Sequence, residues 1–176
     1  EDGTIGNQRN ITTNEGPSYD SHGTFVKDNC EIVYTSQATG FGSRQPGLLK
    51  ISDLENSEYL RDNNGNTIEG EDAYGFENFV VYVQPDGEIV IYNLDTKEQR
   101  SLGVYGSNPV FSFDGTWVEH EDLNIVGQVN RISSQGGTVE IVAQNGRAPQ
   151  SDPNLDRTFM HGTDAADTLN VAQNGQ

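Results

Sequence analysis

The sequence repeats itself, and that repetition limits the fold more than any other feature. An aromatic residue, two further positions, an acidic residue and a small turn-former precede a strand-like run. Phe25-Val26-Lys27-Asp28-Asn29 leads into Glu31-Ile32-Val33-Tyr34-Thr35-Ser36, and Phe111-Ser112-Phe113-Asp114-Gly115 leads into Trp117-Val118-Glu119-His120 at the same offsets. The two copies stand 86 positions apart, two units of 43, and Tyr74-Gly75-Phe76-Glu77-Asn78 with Phe79-Val80-Val81-Tyr82 supplies the unit between them, one residue tighter in its turn. Asp-Gly and Asp-Asn pairs tolerate positive φ, so each copy reads as a β-hairpin.

Each hairpin is followed by two more strands. The third strands are Leu48–Ile51, Ile89–Tyr92 and Val129–Ile132, with turn-rich segments after them, including Asp53-Leu54-Glu55-Asn56. The fourth are Glu58–Arg61, Gln99–Leu102 and Val139–Val142. Four strands in about 37 to 49 residues make one propeller blade. A last unit opens with Ala148-Pro149, passes through Thr158–His161 and ends with Leu169–Ala172, stopping after its third strand. Asn7-Gln8-Arg9-Asn10-Ile11 matches Glu98-Gln99-Arg100-Ser101-Leu102 and supplies the missing strand, which removes exposed sheet edges. The expected fold is therefore all-β, a small β-propeller of four four-stranded blades closed by the N-terminal strand. It forms one domain over 1–176, with blades at about 17–64, 66–104, 105–145, and 147–176 plus 7–12.

The form Phe-Ser-x-Asp-Gly-x-x-Val, followed by Val129-Asn130-Arg131-Ile132-Ser133-Ser134-x-Gly136-Gly137, resembles the WD40-like repeat of TolB-like propellers. The resemblance is good over 105–142 and 19–62, weaker over 66–104 and weakest over 147–176. It departs from the family in blade number, four here against the usual six or more. It implies a rigid platform with variable loops. Larger propellers of this kind include polysaccharide lyases and hydrolases that use His, Tyr and a metal.

Charge narrows the partners. With 27 acidic and 10 basic residues the chain carries a formal charge of -17, and its Lys and Arg are scattered singly. That field opposes binding to nucleic acid or an anionic membrane. No apolar run is long enough to insert into a bilayer. Cys30 is the only cysteine, so neither an intramolecular disulfide nor a cysteine-based zinc cluster forms within one chain. Composition and resemblance point to an extracellular or periplasmic location.

Aligning second strands places Tyr34, Tyr82, His120 and His161 at one blade position, which the resemblance fills with a large residue packed between blades. The sharper alternative gives His120 and His161 a shared polar site with Glu119, Glu121 or Asp122. His22 stands at the start of a first strand, aligned with Asn108, where it faces either a ligand or local backbone. The longest loops, 37–46 with Phe41 and Arg44 and 63–74 ending at Tyr74, are the expected contact surface. His161-Gly162-Thr163-Asp164-Ala165-Ala166-Asp167-Thr168-Leu169 resembles the opening of an RTX calcium repeat, with Asp164 and Asp167 as ligands, but only one copy is present. No cofactor is expected apart from that calcium alternative. There is no Gly-x-Ser-x-Gly elbow, Gly-x-Gly-x-x-Gly or Walker pattern.

The expected function is a secreted noncatalytic binding or scaffold module, taking a protein, peptide or glycan on one face. The alternatives are a polysaccharide-active lyase or hydrolase with a His/Tyr site, and a self-assembling structural subunit.

Overall fold

The computed structural model describes residues 19–28, 30–37, 44–50, 53–152, 157–162 and 169–173. All regular structure among them is β. The first sheet holds β1 (Tyr19–Val26), β2 (Glu31–Gln37), β3 (Gln45–Lys50) and β4 (Asp53–Tyr59) in chain order, each antiparallel to the next. A second sheet runs through β5 (Glu71–Phe76), β6 (Phe79–Val83), β7 (Glu88–Asn93), β8 (Gln99–Phe111), β9 (Trp117–Asp122), β10 (Gln128–Ser133) and β11 (Glu140–Gln144). The third comprises β12 (Gly146–Asp152), β13 (Arg157–Gly162) and β14 (Leu169–Gln173).

The seven-stranded sheet is two four-stranded units sharing β8. That strand pairs with β7 from Gln99 to Tyr105 and with β9 from Gly106 to Phe111. The sequence reading ends one strand at Leu102 and begins a new unit at 105. Instead one strand runs on without a break and changes partner between Tyr105 and Gly106, while Gly103, at φ +69°, falls within its register shift against β7, between Ser101 and Tyr105. A second difference lies in the first sheet. Asp53–Asn56, read as a turn, begins β4 and pairs from Asp53 to Lys50, because ladder partners satisfy backbone polar groups that a longer turn would leave open.

The first strands of the units lie side by side: β1 packs against β5, β5 against β8, and β8 against β12. The sheets therefore curl around their first strands, and the core fills the spaces between units. Strand β6 shows why. Its sequence Phe-Val-Val-Tyr-Val is apolar without alternation because both faces are covered. Val80 and Tyr82 join Val26, Val33, Leu60 and Val90 on one side, while Val81 and Val83 join Ile91, Phe111, Val118 and Ile132 on the other. Each such side chain contributes about 1.5–3 kcal/mol on full burial.

Candidate functional site

Every first strand carries one extra residue at the same place. The register slips between Ser21 and Thr24, Glu71 and Tyr74, Ser107 and Val110, and Arg147 and Gln150. A bulge leaves residues unpaired in the ladder and redirects the chain there. The redirected positions are His22, Asp72, Asn108 and Ala148, which confirms the alignment of His22 with Asn108. Asp72 and Asn108 both adopt positive φ, 52° and 49°. Asp and Asn occupy that region more readily than most residues.

These bulges lie at the end of the units where the second strand turns into the third. Three backbone hydrogen bonds tie that end together: Gly70 N–H donates to the Arg44 carbonyl at 2.7 Å, Gly106 to Gly87 at 3.0 Å and Gly146 to Gly127 at 2.8 Å. Each joins the start of one unit to the second hairpin of the unit before it. Only a residue without a side chain fits at the first two. A Cβ on Gly70 would sit 2.5 Å from Tyr82 Cδ2, and one on Gly106 would sit 2.6 Å from the Glu121 carbonyl and collide with His120 Nδ1.

Polar side chains extend the tie. The Asp72 carboxylate accepts the Asn108 N–H, and the Asn108 amide donates to Glu121 Oε1 at 2.9 Å. Arg44 pairs with Glu71 at 2.6 Å while 40% of its side chain stays exposed. Asp122 accepts the N–H groups of Asn124 and Ile125 on one oxygen and the buried amides of Asn130 and Gln128 on the other. Burial alone would raise its carboxyl, but the Asn124 N–H, the Asn130 amide, the Ile125 N–H and the nearby His120 together hold it below the ordinary range.

The expected site residues divide accordingly. Arg44 and the His22 backbone belong to the bulged end. Tyr74 is half-buried against the second core cluster, and burial pushes its hydroxyl up. Tyr34, Tyr82 and His120 are buried, at 4%, 0% and 1% exposure. Desolvation lowers the His120 pKa. Its Nδ1 faces the Glu121 carbonyl at 3.1 Å and its Nε2 has no hydrogen-bond partner among the described residues. Tyr82 is pushed up to about 12, chiefly by desolvation, while its hydroxyl donates to Gln99 Oε1.

In the last unit the register places Met160 opposite the bulge, while His161 pairs with Arg147. Met160, rather than His161, is thus the counterpart of Tyr34, Tyr82 and His120. Phe41, Asp164, Asp167 and the side chains of His22 and His161 lie outside the described residues. Among the described residues no three His, Cys, Asp or Glu side chains gather as a metal site, and no helix is long and apolar enough to cross a membrane. Sequence reasoning missed the role of Asp72. The signal was its alignment with His22 and Asn108, one residue after each strand's last regular pair.

No protein-family model matches the sequence, and no curated protein does. Solved structures do. TolB from Acinetobacter baumannii superposes with a TM-score of 0.67 at 11% identity, over 88% of this chain and 40% of that one. An oligogalacturonate lyase from Vibrio parahaemolyticus gives 0.60 at 14%, over 90% and 50%. The computationally designed Ika4 protein gives 0.54 at 18%, over 96% and 99%. The chain spans half or less of the length of the first two. Such likeness speaks to fold alone, and with the repeated bulged units it gives this chain the fold of a TolB-like, WD40-like β-propeller.

Proposed function

We propose that this chain is a noncatalytic binding propeller of the extracellular or periplasmic space. It takes a protein, peptide or glycan on the face where the first strands bulge. The observation that carries this reading is the tie from Asp72 through Asn108 to Glu121: a polar, hydrogen-bonded surface built from two neighbouring units and held rigid by the glycine contacts beneath it. Rigid platforms bind with little ordering cost. The Tyr and His positions that a polysaccharide-active site would use are buried instead at Tyr34, Tyr82 and His120.

In the same reading the blades number four, and residues 7–12 add the fourth strand beside β12–β14. Ile11→Pro would then lower the melting temperature, and hydrogen exchange would show residues 7–12 protected. The platform requires no cofactor. Calcium at Asp164 and Asp167 is tested by melting the chain with calcium and with EDTA, a rise with calcium assigning the ion a structural role.

The function itself is tested by screening the chain against a glycan array and a random-peptide display library. Retained ligands are then measured against Glu121→Lys, on the bulged face, and Lys97→Glu, in the β7–β8 turn. Loss with Glu121→Lys alone supports the reading. Ligands insensitive to Glu121→Lys, or turnover of a polysaccharide by the wild-type chain, would overturn it.

A further inference from the structure

The bulged face carries an apolar cluster that the polar tie does not use. Between β9 and β10 the chain reads Leu123-Asn124-Ile125-Val126-Gly127, and its three aliphatic side chains are 51%, 53% and 79% exposed. Tyr105, 52% exposed, lies alongside: a methyl built on Gly87 would touch Leu123 Cδ1 at 2.8 Å and Tyr105 Cδ1 at 3.9 Å. Single exposed aliphatics are ordinary, but a contiguous group on one loop marks a contact surface.

The loop cannot turn these side chains inward. Asp122 fixes its first half through the N–H groups of Asn124 and Ile125, Gln128 N–H donates to the Ile125 carbonyl at 3.0 Å, and the Gly127 carbonyl is taken by Gly146. Asp122 is itself anchored to Asn130, which is buried at 4%. The apolar groups are therefore held outward before any partner arrives.

The surroundings decide which partner fits. Asp86, Glu88, Glu121 and Asp122 border the cluster in sequence and pairing, Glu88 lying directly opposite Tyr105. The segments 84–88, 105–108 and 121–128 contain no Lys or Arg. An apolar centre with an acidic rim complements a segment that presents apolar side chains between Lys or Arg residues. A second copy of this chain, at -17, and an anionic bilayer are both repelled by that rim. Resting on the binding-platform reading, we propose that Leu123, Ile125, Val126 and Tyr105 dock a basic, apolar segment of another protein.

The test is fluorescence anisotropy with labelled synthetic peptides. One set has Leu and Phe flanked by Lys and Arg, a second has the same apolar residues flanked by Glu, and a third keeps Lys and Arg but replaces the apolar residues by Ser. The first set is expected to bind, to weaken severalfold as NaCl rises from about 50 to about 300 mM, and to lose about tenfold in affinity with Ile125→Ser/Val126→Ser. Ile141→Ser, an exposed aliphatic on β11, should leave binding unchanged. Equal binding of the first and third sets, no binding of the first, or no loss in the double variant would overturn the inference. So would binding to phosphatidylglycerol vesicles or dimerisation through the loop. A screened ligand that Glu121→Lys abolishes and the double variant retains would leave the platform standing and remove only this docking site.

Discussion

The carboxylate of Asp72 accepts the backbone N–H of Asn108 at 3.1 Å, so the bulged residue of one first strand caps the bulged residue of the next. Both residues sit at positive φ, and both therefore need a compensating contact. The tie makes the bulged face a joint property of two units rather than a set of independent loops.

Replacing Asp72 separates its two roles. Asp72→Ala removes the acceptor and puts a Cβ-bearing residue without local hydrogen bonds at φ 52°, which is expected to cost about 1–3 kcal/mol. Asp72→Gly relieves the strain but not the lost cap, and Asp72→Asn keeps an acceptor and should cost least. Urea midpoints with unchanged m-values would establish that order, and equal midpoints for all three would refute it.

Close approach at Gly106 predicts an overpacking penalty. Gly106→Ala is expected to destabilise by about 1–3 kcal/mol or more. Adding His120→Ala should recover only part of this, because the Glu121 carbonyl 2.6 Å from the new methyl belongs to the backbone and remains. A double-mutant cycle on thermal or urea stability reads the coupling directly.

His120 makes stability depend on pH with a defined sign. Its folded pKa lies below the ordinary 6.5 because burial disfavours the charged ring. The unfolded chain therefore binds the proton first, and stability is lost as pH falls from about 6.5 toward the folded value. Asp62, Asp114 and Asp122 are also held low, so their contribution is lost only below about 4. Tyr82 fills the corresponding position against Gly70, so His120→Tyr should fold, flatten the upper window and narrow the Asp122 part of the lower one, since His120 helps hold that carboxyl low, while leaving the Asp62 and Asp114 parts unchanged. Melting curves between pH 7 and 3 would check both windows.

Trp117, the only tryptophan, gives a local probe of the third unit. The Arg131 guanidinium lies 4.5 Å from its ring centroid and pairs with Glu140 at 2.7 Å. Arg131→Lys loses the planar stack and fork, with an expected cost of about 0.5–1 kcal/mol and a change in tryptophan emission. Unaltered emission would show that the stack does not persist in solution.

Periodic apolar runs, turn pairs at regular spacing and the absence of helical patterning sufficed to specify the all-β repeats, the hairpins and the buried position shared by Tyr34, Tyr82 and His120. These are local matters: strand alternation and positive-φ turns depend on neighbours a few residues away. The contact of Asp72 with Asn108, 36 positions apart, was not legible, nor were the three glycine ties or the single β8 serving two units. Each depends on how one sheet stacks on the next. The last unit shows the same limit, since spacing alone selected His161 and the observed register selects Met160. One extra residue in a strand exchanges its faces, and where that residue goes is decided by the sheets packed around it.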